Sequence, residues 1–292
     1  MCVNLHMGDL RGGERFKRLR IDGAYYIVLW GDEIRGSTVR NHVKENLKNG
    51  AVALGAWISV LNPRTARTVA SSGLDWVLFD TEHGPAGIET IDGLVGAVIG
   101  AGALPLIRVV WNDINAIKKA LDTGAYGIVV PWVNTKEDAE RAVAYTRYAP
   151  EGLRGCAAGR PASAWGISTR EYTDTANDEI LVAVQIETKE AVKNIEEIAS
   201  VEGVDATFVG PSDLSASYGI RGEHWHPTLL KAFERVIEVC EPAGVAPGIA
   251  FGKGPDHCKE LIDQGFRFIG VGEDLAYLAA GTKARIKMIR SS

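Results

Sequence analysis

Residues 104–133 read LPLIRVVWNDINAIKKALDTGAYGIVVPWV. Two apolar runs, Leu104–Val110 and Gly127–Val133, enclose a segment, Asp113–Gly124, whose apolar residues recur at three- and four-residue spacing. Such spacing predicts an amphipathic helix, and near-continuous apolar runs are typical of parallel strands that are covered on both faces. The stretch therefore predicts a strand–helix–strand unit.

The same alternation continues on both sides of this unit, and helical patterns separate the apolar runs. The candidate strands are Val52–Val60, Trp76–Asp80, Leu104–Val110, Gly127–Val133, Ile180–Ile186, Ala206–Val209, Ala246–Phe251 and Phe266–Val271. Eight strands that alternate with helices predict a (β/α)8 TIM barrel in the α/β class. An open doubly wound sheet stays an alternative, because periodicity does not reveal closure.

The composition of the 292 residues is that of a soluble globular protein, with 46% hydrophobic residues and a net charge of −5. This balance gives no electrostatic reason to expect nucleic acid or an anionic membrane as a partner. The longest apolar run near the start, Ala24–Trp30, is too short for a membrane span. The four cysteines form no C-x-x-C pair, which favours a reducing compartment. We expect a cytoplasmic protein.

The repeating pattern divides the chain into two regions. Residues 39–292 form the predicted barrel, and residues 1–38 stand outside it as an N-terminal extension with a basic cluster, Arg15–Arg18. Three interpretations of this extension stay open: an extra helix and strand, an oligomer contact, or a disordered leader. Within the barrel, about 30 residues connect Ala149 to Ile180, and a loop of that length is usually functional.

Polar side chains gather where the predicted strands end, which is where the active sites of such barrels form. They are Asp80, Glu82, His83, Arg108, Gln185, Glu187, Ser212 and Asp213. Burying these groups costs several kcal/mol unless they are paired or bind a metal. The sequence therefore predicts a charged site at this end of the barrel.

Glu187 and Asp213 are the candidate metal ligands, because they follow neighbouring strands. No cysteine and no second histidine lies near them in the sequence, which favours a cation that binds oxygen. Two carboxylates favour a hard divalent cation, Mg²⁺ or Mn²⁺, with Co²⁺ as a further option. The alternative is that Glu187 pairs with Lys189 and Asp213 caps a turn. The H-x-H pair of His224 and His226 more readily indicates the start of a helix than a metal site.

His83 follows Asp80 closely enough for that carboxylate to orient the imidazole ring and raise its basicity. This makes His83 a candidate general base. Arg108 is a candidate for stabilising a developing oxyanion. Taken alone, a histidine in a Gly-Pro turn is more often structural and a barrel-rim arginine is more often an ion-pair partner, so both alternatives stay open.

Four motifs carry a resemblance to a known family: Phe79–Pro85 (FDTEHGP), Ile107–Val109 (IRV), Val184–Thr188 (VQIET) and Val209–Ser215 (VGPSDLS). In this order the chain resembles the HpcH/HpaI family of metal-dependent, class II pyruvate aldolases, from about Val39 to the C-terminus. The resemblance implies a barrel of the phosphoenolpyruvate/pyruvate type. It also implies a lyase that cleaves 4-hydroxy-2-oxo acids to pyruvate and an aldehyde, or condenses them.

The resemblance implies a role for each site residue. Glu187 and Asp213 would bind the divalent metal, which also holds pyruvate, while Gln185 and the backbone N–H of Ser212 would hold the pyruvate moiety. His83 would be the acid/base and Arg108 would stabilise the enolate. Asp122 matches the acid that raises the basicity of this histidine, with Asp80 nearby.

Further expectations follow from the same resemblance. The partner is a small-molecule substrate, and a homo-oligomer, commonly a hexamer, is implied. Arg154, in what reads as a helix ending at Leu153-Arg154-Gly155, matches a landmark beside the substrate cleft. We hypothesise that Arg160 contacts an acidic end of the substrate. No predicted strand contains the lysine that a Schiff base requires, and Lys253 comes nearest to a strand end.

Two other functions remain open at this point. The same site could decarboxylate oxaloacetate, which yields the same pyruvate enolate. The barrel could also be non-catalytic and serve in binding or assembly, although a chain free of catalytic demands need not keep charged groups at strand ends.

Overall fold

The computed structural model describes residues 6–9, 15–21, 24–29 and 40–291. The chain divides into two compact units, Met1–Arg40 and Asn41–Ser292. In the first unit, strands β1 (His6–Asp9), β2 (Arg15–Ile21) and β3 (Ala24–Leu29) form an antiparallel sheet in the order β1-β2-β3. The sequence left open a helix here, and the described part of this unit is strand. The question of a disordered leader concerns residues that lie outside the described ones.

The second unit is a closed barrel of parallel strands in the order β10-β11-β4-β5-β6-β7-β8-β9. The strands are β4 (Ala53–Ile58), β5 (Trp76–Asp80), β6 (Leu104–Arg108), β7 (Gly127–Val130), β8 (Leu181–Ile186), β9 (Ala206–Val209), β10 (Gly248–Ile249) and β11 (Phe268–Glu273). The predicted (β/α)8 barrel is confirmed, and closure excludes the open sheet.

Helices connect and cover these strands. They are α1 (His42–Lys48), α2 (Pro63–Ala70), α3 (Ile88–Val98), α4 (Ile114–Leu121), α5 (Lys136–Thr146), α6 (Gly159–Trp165), α7 (Thr169–Glu179), α8 (Lys189–Lys193), α9 (Ile195–Ala199), α10 (Pro211–Ser217), α11 (Pro227–Ala243), α12 (Pro255–Gln264) and α13 (Asp274–Arg290). Among residues 40–291, none of the helices has the length and apolar character that crossing a membrane requires.

Aromatic side chains fill the interior of the barrel. The ring centroids of Trp76 and Phe268 lie 4.6 Å apart, and those of Phe208 and Phe268 lie 5.3 Å apart. A Cβ at Gly55 would lie 1.9 Å from the Trp76 ring, so only glycine in β4 leaves room for this tryptophan. The barrel is therefore a packed core and not a pore, as is usual for eight strands.

Helix α1 joins the starts of three strands at the N-terminal end of the barrel. The buried Asn41 amide donates to the carbonyls of Tyr126 and Glu179, at 2.9 and 2.8 Å. Lys44 donates to the carbonyl of Ile180 at 3.0 Å and pairs with Asp205 at 3.1 Å. These partners precede β7, β8 and β9. The N-terminal end is thereby closed by polar contacts, and the opposite end stays open.

The predicted strands agree with the observed ones: five are shorter than predicted, two have the predicted bounds, and β11 begins and ends two residues later. Gly127–Val133 stops at Val130 because Pro131 has no N–H to donate to the ladder and Trp132 takes a left-handed conformation, with φ of 55°. The long connection after α5 is not a structureless loop, because it contains α6 and α7. The expected helix end at residues 153–155 is wrong: α5 ends at Thr146, and Arg154 lies beyond it in an isolated β-bridge with Tyr148.

Candidate active site

A cavity of about 450 Å³ opens at the C-terminal end of the barrel. Its walls come from the ends of seven strands and the segments that follow them. The lining residues are Trp57, His83, Arg108, Gln185, Gly210, Pro211, Ser212, Asp213, Ala250, Phe251, Gly272, Glu273 and Ala276. Five of the residues predicted from sequence are in this set, so the structure brings most of the expected site together.

Arg108, at the end of β6, is held by two carboxylates. Its Nε and Nη2 atoms donate to Asp80 at 2.9 and 2.7 Å, and its Nη1 atom lies 3.1 Å from Oε2 of Glu82. This ion pair keeps the pKa of Asp80 below its ordinary value although burial opposes the shift. The guanidinium therefore has a fixed plane at the edge of the cavity.

Trp57 fixes the other side of the same guanidinium. The centre of the Arg108 guanidinium lies 4.6 Å from the Trp57 ring centroid, within the range of a cation–π contact. The indole N–H of Trp57 donates to the carbonyl of Ala250 at 3.1 Å. Nothing in the sequence pattern marked Trp57, because an aromatic residue within a strand more often belongs to the core.

His83 lines the cavity with an exposed ring. The backbone N–H groups of Glu82 and His83 both point to Oδ1 of Asp80, at 3.0 and 3.4 Å. The imidazole Nε2 instead lies 3.9 Å from Oε2 of Glu82. Asp80 thus orients the turn that carries His83, and Glu82 is the carboxylate beside the ring, where the sequence analysis had placed Asp80.

Glu187 is buried, and two donors hold it. Its Oε1 atom accepts the backbone N–H of Trp132 at 2.7 Å, and its Oε2 atom accepts from Nε2 of Gln185 at 2.6 Å. Burial raises the pKa of Glu187 to about 7, and the negative charges of Glu82 and Asp213 add to this effect. Three carboxylates therefore share one region, so the site favours a positive charge that Arg108 supplies only in part. The ion pair between Glu187 and Lys189, which was the alternative to metal binding, is not recorded among residues 40–291.

The donor set fits a hard cation. The carbonyl oxygen of Gln185 is buried and has no hydrogen-bond donor, and the Asp213 carboxylate lies in the first turn of α10. A Cβ at Gly210 would lie 3.0 Å from Oε2 of Glu187, so the glycine keeps the space beside this carboxylate open. Within the described residues, no three His, Cys, Asp or Glu side chains are grouped to hold a metal. Mg²⁺-type sites commonly use one or two carboxylates together with water and substrate.

Asp122 is not part of this cavity. It caps the end of α4, where its Oδ1 atom accepts from Nη2 of Arg154 at 3.0 Å. Arg154 is buried, and its guanidinium lies 4.5 Å from the ring centroid of Tyr148. Because α4 runs back from the end of β6 toward the start of β7, Asp122 and Arg154 lie at the barrel end opposite to His83. Neither lines the cleft of its own chain.

Two other residues that the sequence analysis discussed, Arg160 and His226, lie outside the cavity. Arg160 is exposed on α6, donates to Asp92 at 2.9 Å and lines neither cavity near His83. His226 is the N-cap of α11, and its ring accepts the N–H of Thr228 at 3.2 Å. The interpretation of the HWHP run as a helix start is confirmed. His224 lies 3.4 Å from the hydroxyl of Ser212.

The sequence analysis did not identify several residues at the site. Trp132 donates through its backbone, which side-chain patterns do not reveal. Glu273 ends β11 two residues beyond the predicted strand end, and Phe251 follows β10 as an ordinary apolar residue. A carboxylate directly after an apolar run was a usable signal for Glu273, of the same kind that identified Asp80.

Comparison with known proteins identifies a family whose sequence pattern covers most of the chain. Residues 53–280 match the HpcH/HpaI aldolase/citrate lyase family. A 4-hydroxy-2-oxo-heptane-1,7-dioate aldolase of Salmonella paratyphi C (strain RKS4594) is 38% identical over 247 residues, which cover 84% of this chain and 93% of that protein.

Two solved structures share the fold over most of the chain. A HpcH/HpaI aldolase/citrate lyase family protein from Burkholderia cenocepacia J2315 has a TM-score of 0.80 at 34% identity and covers 86% of this chain and 99% of its own. The HpcH/HpaI aldolase from Desulfitobacterium hafniense DCB-2 has a TM-score of 0.77 at 31% identity. The match covers 85% of this chain and 96% of that structure's chain. The family and the carbon–carbon lyase class expected from sequence are confirmed. The chain belongs to the HpcH/HpaI aldolase/citrate lyase family.

Proposed function

We propose that this enzyme is a divalent-metal-dependent aldolase that cleaves 4-hydroxy-2-oxo acids to pyruvate and an aldehyde, and catalyses the reverse condensation. One observation carries the proposal: Asp213 lines one cavity with Gln185 and the fixed guanidinium of Arg108. The buried carboxylate of Glu187 accepts a hydrogen bond from Gln185 and feels the charges of Asp213 and Arg108. A 2-oxo acid offers a carboxylate and a ketone oxygen, and such a cavity suits both.

The proposed ligands of the metal are Glu187 and Asp213, and Mg²⁺, Mn²⁺ and Co²⁺ all suit oxygen ligands of this kind. A bound divalent cation would supply Lewis-acid stabilisation for the charge that develops on the ketone oxygen. Gln185 has a second amide N–H beyond the one that it donates to Glu187. With the backbone N–H of Ser212, this N–H would bind the pyruvate half.

His83 is the proposed acid/base. In cleavage its imidazole takes the proton of the C4 hydroxyl, the C3–C4 bond breaks, and the carbonyl of the aldehyde forms. The electron pair of the broken bond passes to C3 and becomes the enolate of pyruvate. The enolate takes up a proton at C3 and the imidazolium of His83 gives up the one it took, so the number of protons is unchanged. Arg108 supports the negative charge with a guanidinium that Asp80, Glu82 and Trp57 already hold in place, so little reorganisation is needed.

The proposed role of Asp122 requires a second copy of the chain. Within one chain, Asp122 and His83 lie at opposite ends of the barrel, so Asp122 can raise the basicity of His83 only across a contact between copies. We therefore propose a homo-oligomer in which Asp122 acts as a positioning residue. We expect the protein to be cytoplasmic. Asp122→Asn would then shift the pH profile of kcat, whereas a role only in binding Arg154 would lower stability and leave that profile unchanged.

The test is pyruvate release from 4-hydroxy-2-oxo acids by EDTA-stripped protein, with and without added Mg²⁺, Mn²⁺ or Co²⁺. We expect activity that returns with metal and is lost in Glu187→Gln, while Glu234→Gln, an exposed carboxylate on α11, serves as the matched control. Activity that survives EDTA would overturn the metal mechanism. Release of CO2 from oxaloacetate without any aldol cleavage would favour the decarboxylase alternative.

A further inference from the structure

A second, smaller cavity of about 230 Å³ adjoins the proposed active site. Trp57, His83 and Glu273 line both cavities. In the proposed reaction, the C4 hydroxyl lies at His83 and the pyruvate half lies toward Glu187 and Asp213. The smaller cavity is the space on the other side of His83, where the part of the substrate beyond C4 would extend.

Two carboxylates, Asp80 and Glu273, line this smaller cavity. Its lining residues are Trp57, Ile58, Ser59, Leu61, Asp80, His83, Gly84, Pro85 and Glu273. Asp80 is neutralised by Arg108. Glu273 accepts a hydrogen bond from the hydroxyl of Ser59 at 3.3 Å, and no ion pair of Glu273 is recorded within residues 40–291. Of those residues, no lysine or arginine lines the cavity.

The backbone fixes the position of Glu273. The register of β11 against β4 shifts between Gly270 and Glu273, and Glu273 then pairs with Trp57. Such a bulge turns a side chain in a new direction, and Gly272 takes a φ of 142° within it. The next residue, Asp274, is buried and accepts the backbone N–H groups of Ser59 and Val60 at 3.0 and 2.9 Å.

We propose that Glu273, together with Ser59, selects an uncharged, hydroxylated aldehyde and disfavours an aldehyde that carries a carboxylate. This inference rests on the proposed function and names its substrate class. A carboxylate accepts hydrogen bonds from hydroxyl groups, and the Ser59 hydroxyl adds a second polar contact. A second carboxylate on the substrate would face the carboxylate of Glu273, and no lysine or arginine of residues 40–291 lines this smaller cavity to offset the repulsion. The relatives named for heptane-1,7-dioate act on a diacid, so this chain is expected to differ from them.

The test compares two aldehydes in condensation with pyruvate. Succinic semialdehyde is the fragment that C3–C4 cleavage of the diacid releases, and glyceraldehyde is an uncharged hydroxylated aldehyde. The measured quantity is the ratio of kcat/KM for the two, because effects on the shared pyruvate half cancel in this ratio. The proteins are the wild type, Glu273→Gln, Ser59→Ala and the control Glu234→Gln.

We expect the wild type to favour glyceraldehyde by about 10-fold or more, which corresponds to about 1.4 kcal/mol. Glu273→Gln shifts the ratio toward succinic semialdehyde by about 10-fold, and Glu234→Gln leaves it unchanged. Ser59→Ala lowers the use of glyceraldehyde. A wild type that prefers succinic semialdehyde, or a ratio that Glu273→Gln does not move, overturns the inference.

Two measurements on the wild type keep the test independent of variant folding. Higher ionic strength screens exposed charges, so the relative use of succinic semialdehyde rises with salt if repulsion by Glu273 is the cause, and an unchanged ratio counts against it. Exchange of the pyruvate C3 protons in D2O needs no aldehyde. Exchange combined with the wrong aldehyde preference overturns this inference alone, whereas no exchange with any of the three metals overturns the proposed function as well.

Discussion

Arg108 and Asp80 are ladder partners on neighbouring strands, and their side chains form two parallel hydrogen bonds of 2.9 and 2.7 Å. The pair joins the ends of β5 and β6 at the edge of the cavity. A fork of this kind fixes the plane of the guanidinium as well as its position. The cation is therefore placed before any substrate arrives.

The first prediction concerns this fork. Arg108→Lys keeps the positive charge but cannot form both hydrogen bonds to Asp80, and a lysine ammonium is a compact point charge. We expect kcat for aldol cleavage to fall by about 10²- to 10³-fold, measured at saturating metal and substrate. Circular dichroism controls for folding. A kcat within two-fold of the wild type would show that a single positive charge is sufficient.

The second prediction concerns Trp57. Trp57→Phe retains an aromatic face for Arg108 but loses the hydrogen bond to Ala250, and Trp57→Leu loses both contacts. We expect the unfolding free energy of Trp57→Phe to fall by about 1 kcal/mol. We expect Trp57→Leu to lower kcat further than Trp57→Phe does, because the cation–π contact is also lost. Urea unfolding and steady-state kinetics measure the two effects, and equal kcat values for the two variants would remove the proposed role of stacking.

The third prediction concerns Gly210. An alanine Cβ would lie 3.0 Å from Oε2 of Glu187 and 3.3 Å from Nε2 of Gln185. The backbone φ of −101° suits alanine, so the crowding acts on the ligand side chains and not on the backbone. We expect Mn²⁺ affinity, measured by calorimetry, to fall by about 10-fold.

The matched control for Gly210 is Gly96→Ala in α3, where a Cβ meets nothing within 4 Å. Alanine in a helix interior is favoured over glycine by about 1 kcal/mol. Gly96→Ala should therefore retain full metal affinity and unfold at the same or higher urea concentration. Unchanged Mn²⁺ binding in Gly210→Ala would argue against Glu187 as a ligand.

The fourth prediction concerns pH and the metal-free protein. The pKa of Glu187 rises from 4.5 to about 7 on folding, mainly through burial, so the folded chain holds a proton that the unfolded chain releases. The stability that this proton provides is present below pH 4.5 and is lost as the pH rises to 7. Across this window we expect the unfolding free energy of the EDTA-treated wild type to fall, relative to Glu187→Gln, by about 3 kcal/mol at most. If the difference in unfolding free energy between the wild type and Glu187→Gln does not change with pH, the raised pKa of Glu187 is refuted as its cause.

The fold was predictable because its signal is repeated. Strands β6 to β10 are buried throughout and β5 is buried up to its last residue, and runs such as Trp76–Asp80 and Ala206–Val209 have the predicted bounds. Strand ends were less predictable, because ladder pairing and backbone conformation decide them. Trp132 shows this, since its left-handed φ ends the run after Val130.

The site was predictable where charge follows an apolar run, as at Asp80, Glu187 and Asp213. Sequence could not show which charge neutralises which. Asp80 was expected to serve His83, yet it binds Arg108, because the two face each other in register. Nor could it show that Asp122 lies at the far end of the barrel, since that follows from the direction of α4. The catalytic roles themselves stay predictions for the experiments above.

The polar closure by Asn41 and Lys44 has a further consequence, for how the enzyme can change over evolution. These side chains bind the strand starts at the barrel end opposite to the cavity that His83 lines. Sequence changes around Glu273 and Ser59 therefore leave that closure untouched, and a new aldehyde preference need not cost the barrel its stability. The residues proposed to select the aldehyde and the side chains of the polar closure therefore lie at opposite ends of the same eight strands.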